Sequence, residues 1–147
     1  MNKLLLRLAV TAAAGSLLAS KPMVAQLSQT APKAASVRIT EGPAPERADD
    51  YLTIITWTSN NPGGSLDHFG VVHYGTDPKN LSQTAKSPIR LNPAHPSTLF
   101  RVRMDGLKPG TTYYYTVGSM ESNGKDDGTK SAVKQFTTPV EPQRAGR

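Results

Sequence analysis

The sequence predicts an all-β protein in which seven strands form a two-layer sandwich. Three observations support this prediction. Short segments rich in β-branched and aromatic residues alternate between apolar and polar positions, which is the period of a β-strand. Turn residues separate these segments at intervals of about 8–12 residues, a spacing typical of sandwiches. No helical periodicity follows the first 25 residues.

The first three predicted strands are 36–40, 51–59 and 66–76. Val37 and Ile39 share one face of the first strand. The second is a β-branched and aromatic run in which Trp57 points inward together with Thr53 and Ile55. Leu52 and Ile54 then point outward, which requires either a bulge that shifts the face or an N-terminal segment that covers them. The segments 41–50 and 60–65 are rich in proline, glycine or charge and are predicted to be loops.

The remaining strands are predicted along the second half of the chain. Segment 77–87 begins as a turn and continues as a polar edge strand anchored by Leu81, and 88–96, with three prolines, is predicted to be irregular. In 98–104, Phe100, Val102 and Met104 alternate inward with Leu99, Arg101 and Arg103 outward. The last two strands are 113–118 and 131–138, the latter contributing Val133 and Phe136, and 121–130 is predicted to be a solvated hairpin tip.

The corner before strand 113–118 carries the clearest resemblance in the chain. Leu107-Lys-Pro-Gly-Thr-Thr-Tyr113 contains a Pro-Gly turn followed by alternating residues. It resembles the corner between strands E and F of fibronectin type III domains, where a tyrosine hydroxyl bonds backbone a few residues upstream. Tyr113 matches that tyrosine, and Trp57 resembles the core tryptophan on strand B. The residues expected in the core are Trp57, Val72, Tyr74, Val102, Leu107, Tyr113, Tyr115 and Val117.

The N-terminal residues are predicted to be a cleavable signal peptide, 1–25. A basic start is followed by an apolar stretch too short to span a membrane, with cleavage after Ala25 or, alternatively, after Ser20. Residues 26–34 are expected to be a flexible leader, 35–139 the domain, and 140–147 a disordered tail. We therefore expect a secreted or periplasmic protein without a transmembrane anchor. The absence of cysteine means that the core alone must hold the domain together.

The charge balance excludes a nucleic-acid-binding function. The net charge of +6 includes Lys3, Arg7 and Lys21 of the signal peptide and falls to +3 without them. A charge of +3 spread along the chain is ordinary for a soluble domain. We expect a monomer whose partner is a protein or a component of the cell envelope.

Three short motifs resemble the N-terminal domain of purple acid phosphatases: Val72-His-Tyr-Gly-Thr76, Tyr113-Tyr-Tyr-Thr-Val-Gly118 and Phe136-Thr-Thr-Pro139. The overall resemblance covers 35–139. The resemblance raises the question of catalysis, but a two-metal phosphoesterase needs clustered Asp, His and Asn ligands. The three histidines, His68, His73 and His95, lie outside the motifs that such enzymes use, and we expect no catalytic domain. We expect no catalytic residue, no metal ligand and no cofactor.

Smaller sites are not supported by the spacing of the residues either. His68 and His73 point to opposite faces of one strand and are expected, with His95, to be exposed to solvent. The chain lacks a nucleophile elbow. The acidic segment 123–128 lacks the alternating ligands of a calcium loop.

One surface is a candidate for binding. The inward assignment of Val72 and Tyr74 places five other residues together on the outer face of the sheet: Phe69, Val71, His73, Tyr114 and Thr116. An exposed patch of this kind can bind a partner, as can the loops at one pole of the sandwich. Two functions remain open: a non-catalytic exported binding module, and an accessory domain of a separately encoded metallophosphatase.

Overall fold

The computed structural model describes residues 30–49 and 51–140, which form seven antiparallel strands in two sheets. The strands are β1 (Ile39–Ala48), β2 (Leu52–Asn60), β3 (Asp67–Gly75), β4 (Gln83–Arg90), β5 (Ser97–Asp105), β6 (Thr112–Glu121) and β7 (Lys134–Thr137). One sheet has the order β1-β2-β5 and the other β4-β3-β6-β7. This arrangement confirms the predicted β-sandwich.

The core lies between the two sheets and is centred on an aromatic stack. The Trp57 and Phe100 rings lie 5.2 Å apart and within 12° of parallel. Gly70 of β3 faces this stack, and a Cβ at that position would lie 2.9 Å from Val102 and 3.1 Å from the indole. The absence of a side chain at Gly70 therefore lets the two sheets close over Trp57. All eight residues expected in the core are buried there: Trp57, Val72, Tyr74, Val102, Leu107, Tyr113, Tyr115 and Val117.

The prediction of a loop along 41–50 was wrong. β1 runs from Ile39 to Ala48 and pairs with β2 although it contains Pro43 and Pro45. Proline is tolerated here because β1 is an edge strand, and three register shifts interrupt its pairing with β2. The same reasoning explains β4, an edge strand of the other sheet, which extends through Pro88 to Arg90 although 88–96 was expected to be irregular.

The last strand is shorter than predicted. β7 contains only Lys134–Thr137; Phe136 is buried, whereas Val133 is 46% exposed and not a core residue. β2 and β5 pair in unbroken register from Leu52 to Asn60, so no bulge in β2 shifts Leu52 or Ile54 to the other face. Both side chains remain outward and half-buried.

The predicted signal peptide and most of the C-terminal tail lie outside the described residues, and these two assignments remain predictions. The leader was expected to be flexible, but its residues 30–34 make backbone hydrogen bonds with the β2–β3 loop: Ala34 N–H donates to Pro62 at 2.9 Å, and Gly64 N–H donates to Ala31 at 2.9 Å. Within 30–49 and 51–140, no helix is long and apolar enough to cross a bilayer.

Candidate functional site

The outer face of the four-stranded sheet holds the predicted binding residues. Pairing of β3 with β6 sets His73 opposite Thr116 and Gly75 opposite Tyr114, so the side chains of the two strands are in register on this face. The His73 ring also contacts the Thr84 hydroxyl of β4 at 3.0 Å. The five predicted residues, Phe69, Val71, His73, Tyr114 and Thr116, therefore lie on one face.

Two of these five residues are not exposed, contrary to the prediction. Val71 is 3% and Thr116 2% exposed, whereas Phe69, His73 and Tyr114 are half-buried. For Val71, the cause is the segment after β6, which folds back over the sheet. The Thr129 carbonyl lies 2.6 Å from where a Cβ of Gly118 would be, so only glycine lets this segment approach so closely. A cavity of about 360 Å³ remains between this segment and the sheet, lined by Val71, His73, Gly118, Asp126 and Lys130 among others.

A second group of polar residues lies at one end of the sandwich, where β3 begins and β6 ends. His68, Glu121 and Asp127 each offer a donor atom, and these atoms lie within 4.8 Å of one another. His68 Nε2 is 3.4 Å from Asp127 Oδ2, and both side chains are fully buried. We refer to His68, Glu121, Asp127 and Lys33 as the polar cluster. The expectation that His68 is exposed to solvent was wrong. The predicted hairpin tip is exposed along 122–126, but Asp127, which was assigned to it, has a fully buried side chain.

The N-terminal segment supplies the positive charge of the polar cluster. Lys33 Nζ is 2.9 Å from Glu121 Oε1 and also contacts Asp127 Oδ1. The lysine reaches this position because the backbone around Pro32 packs on Gly63. The Pro32 carbonyl lies 1.9 Å from where a Cβ of Gly63 would be, and Gly63 has a φ of 63°. A side chain at Gly63 would therefore exclude this segment.

Hydrogen bonds fix both carboxylates of the polar cluster. The Ser119 hydroxyl donates to Asp127 Oδ2 at 2.6 Å, and the Asn123 amide donates to Glu121 Oε2 at 3.3 Å. Desolvation raises the pKa of Asp127, but its contacts with His68, Lys33 and Ser119 outweigh this effect and lower the pKa to about 2. The hydrogen bond from Lys33 is the main cause that lowers the pKa of Glu121. Both groups are therefore carboxylates at neutral pH.

The sequence contains a signal for part of this cluster. His68, Val72 and Tyr74 are separated by even numbers of residues on one strand, so alternation already places His68 inward. The prediction overlooked this parity and took the histidine as exposed. Lys33 and Asp127 carried no such signal, because they lie in a leader and a loop whose paths depend on tertiary packing.

The fold agrees with comparisons to known proteins. The family model described as the N-terminal domain of purple acid phosphatases matches residues 49–138, more than half of the chain. The chain belongs to this family. The match is to the N-terminal domain, and the resemblance to this family predicted from the sequence is confirmed.

Solved structures also resemble the chain. The sensor domain of the anti-sigma factor RsgI4 from Pseudobacteroides cellulosolvens matches with 17% identity and a TM-score of 0.52, covering 76% of this chain and 97% of that domain. A shorter form of the same sensor domain matches with 19% identity and a TM-score of 0.51, covering 72% of this chain and 97% of the other. The fibronectin type III domain of human contactin 1 has 15% identity and a TM-score of 0.49, with 92% and 100% coverage. No curated protein is significantly similar to the chain. At these identities the likeness concerns the fold alone.

Proposed function

We propose that this member of the purple acid phosphatase N-terminal domain family is an exported, non-catalytic interaction module that binds a protein of the cell envelope. The binding surface is the outer face of the β4-β3-β6-β7 sheet, through the side chains of Phe69, His73 and Tyr114. Export is inferred from the predicted signal peptide.

The arrangement of aromatic residues on the outer face supports this proposal. Phe69 pairs with Met120 and Tyr114 with Gly75, so the two rings lie toward opposite ends of this face with His73 between them. All three side chains are half-buried and none belongs to the core. Exposed polar residues flank them on the neighbouring strands: Thr84 and Lys86 on β4, and Gln135 opposite Tyr114 on β7. Aromatic side chains bordered by polar residues are common in protein–protein interfaces, where Tyr and Phe are enriched.

Substitutions on the two outer faces of the sandwich test the proposal. Tyr114→Glu places a charge on the proposed surface, and Leu99→Glu places the same charge on the outer face of the other sheet, where Leu99 is 56% exposed. The tagged protein is used to capture partners from an envelope extract of its source, with both variants in parallel. We expect a partner that is retained by wild type and by Leu99→Glu and lost by Tyr114→Glu. Equal capture by all three proteins, or no specific partner, would contradict the proposal.

The family match favours a second candidate function. N-terminal domains of this family are named for the phosphatases in which they occur. The chain could accordingly serve a separately encoded metallophosphatase, which would then be the captured partner. Identification of the captured protein by mass spectrometry separates this case from an unrelated partner.

A phosphatase assay tests the non-catalytic part of the proposal. The purified protein is incubated with a chromogenic phosphate ester and Fe, Zn or Mn salts, and we expect no turnover. Metal-dependent hydrolysis that persists through stringent purification would show an enzyme.

A further inference from the structure

The buried imidazole of His68 is the least satisfied group of the polar cluster. Its side chain is fully buried, and neither Nδ1 nor Nε2 has a hydrogen-bond partner among the described residues. Nε2 lies 3.4 Å from Asp127 Oδ2, but the geometry of this contact is not that of a hydrogen bond. A buried polar group without a partner is destabilising, so native proteins rarely leave one unless it has another role.

We propose that His68, Glu121 and Asp127 form a site for a divalent transition-metal ion of the Zn²⁺ class, which Lys33 occupies as a competing cation. One imidazole nitrogen and two carboxylates are ligands that Zn²⁺ accepts, and three protein ligands leave a fourth position for water. The metal ion would give His68 Nε2 the partner that it lacks.

The spacing of the donor atoms suits such an ion. Two ligands of a tetrahedral Zn²⁺, each at about 2.0–2.1 Å from the metal, lie about 3.4 Å apart. The distance between His68 Nε2 and Asp127 Oδ2 is 3.4 Å. All three donors lie within 4.8 Å of one another, so a movement of the Glu121 carboxylate by at most about 1.4 Å completes the set.

The surroundings of the carboxylates also resemble those of metal ligands. Ser119 donates to Asp127 and Asn123 donates to Glu121, and such hydrogen bonds orient ligating carboxylates. The two carboxylates carry a charge of about −2, which the single charge of Lys33 balances only in part, whereas a divalent ion balances it fully. Lys33 lies in the N-terminal segment 30–34, outside both sheets, so its side chain can leave while the sandwich stays closed.

The test measures metal binding by the untagged full chain. Isothermal titration calorimetry gives the Zn²⁺ affinity, and the visible absorption of added Co²⁺ reports whether the ion is tetrahedral. Lys33→Met removes the competing ammonium and keeps an apolar stem, and we expect Zn²⁺ to bind this variant roughly tenfold more tightly than wild type. Lys125→Met, at an exposed lysine in the loop that follows β6, is the matched control and should not change the Zn²⁺ affinity.

Ligand substitutions provide the second part of the test. His68→Gln should abolish binding, whereas His95→Gln, an exposed histidine in a loop, should leave it unchanged. Ser119→Ala removes only the hydrogen bond to Asp127 and should weaken binding roughly 10- to 100-fold. If His68→Gln fails to fold, as judged by circular dichroism and Trp57 fluorescence, the Co²⁺ spectrum of Lys33→Met decides. Absence of a tetrahedral Co²⁺ band in Lys33→Met, or unchanged Zn²⁺ affinity in a folded His68→Gln, would overturn the proposal.

Discussion

The phenolic oxygen of Tyr113 accepts a hydrogen bond from the backbone N–H of Lys108 at 3.0 Å. The bond spans the turn at Pro109 and Gly110, and Gly110 has a φ of 59°, which glycine adopts without strain. It thereby joins the start of β6 to the chain that arrives from β5. This is the geometry that the corner motif predicts.

Loss of this hydrogen bond should lower the stability of the fold. Tyr113→Phe keeps the ring, which packs between Tyr74 and Phe136, but leaves the Lys108 N–H without its acceptor. We expect a loss of about 1–3 kcal/mol in the free energy of unfolding, measured by urea denaturation. Tyr51→Phe removes a hydroxyl from a ring that is 59% exposed and should change the stability by less than about 0.5 kcal/mol. Equal effects of the two variants would contradict the role of the corner.

The indole of Trp57 should contribute more than any hydrogen bond. Trp57→Ala removes the ring that stacks on Phe100 and leaves a cavity between the sheets. We expect a loss of about 3–5 kcal/mol or failure to fold, measured by chemical denaturation followed by circular dichroism. Leu99→Ala, on the outer face of β5, serves as the control. A native-like stability of Trp57→Ala would show that the core is centred elsewhere.

A methyl group at Gly70 should destabilise the core by overpacking. A Cβ there would lie 2.9 Å from Val102 Cγ2, 3.1 Å from the indole and 3.2 Å from Phe100. We expect Gly70→Ala to cost about 1–3 kcal/mol in the free energy of unfolding. Combination with Trp57→Phe, which removes the nearest part of the indole, should cost less than the sum of the two single variants. Additive costs in this double-mutant cycle would mean that the two positions do not share the same space.

Burial of Tyr115 should make the protein sensitive to alkaline pH. Desolvation raises the pKa of Tyr115 to about 12, whereas an unfolded tyrosine has a pKa of about 10. The folded state therefore keeps the phenolic proton to a higher pH than the unfolded state does. The contribution of Tyr115 to the free energy of unfolding is fully present below about pH 10 and is lost as the pH rises through about 12. Urea denaturation across this range should show a decline that is smaller in Tyr115→Phe than in wild type. An identical decline in both proteins would assign the effect to other groups, such as Tyr74, whose pKa burial also raises.

Alternation along the chain was sufficient to predict most of the fold. Phe100, Val102 and Met104 are buried and Leu99, Arg101 and Arg103 are exposed, as the pattern of 98–104 required. The pattern failed at the sheet edges. Pro43, Pro45 and Pro88 indicated loops, but an edge strand has one side without a pairing partner and therefore accommodates residues that lack an N–H.

The candidate sites were predicted less well than the strands that carry them. Orientation on the outer face followed from the register, but the burial of Val71 did not. Its burial depends on the segment around Thr129, which folds over Gly118, and the sequence pattern of a strand contains no information about what covers it. His68 was predictable from its parity with Val72, but its partners were not.

By itself, the sequence determined the all-β class, the Tyr113 corner and the inward position of Trp57, because these depend on local turn chemistry and on the two-residue period of a strand. Only the tertiary structure decided that Lys33, His68, Glu121 and Asp127 meet at one end of the sandwich. These residues come from the leader, two paired strands and a loop. Pairing of β3 with β6 sets His68 opposite Glu121, and the leader and the loop pack against this end of the sheet and bring Lys33 and Asp127 to them, which no spacing along the chain encodes.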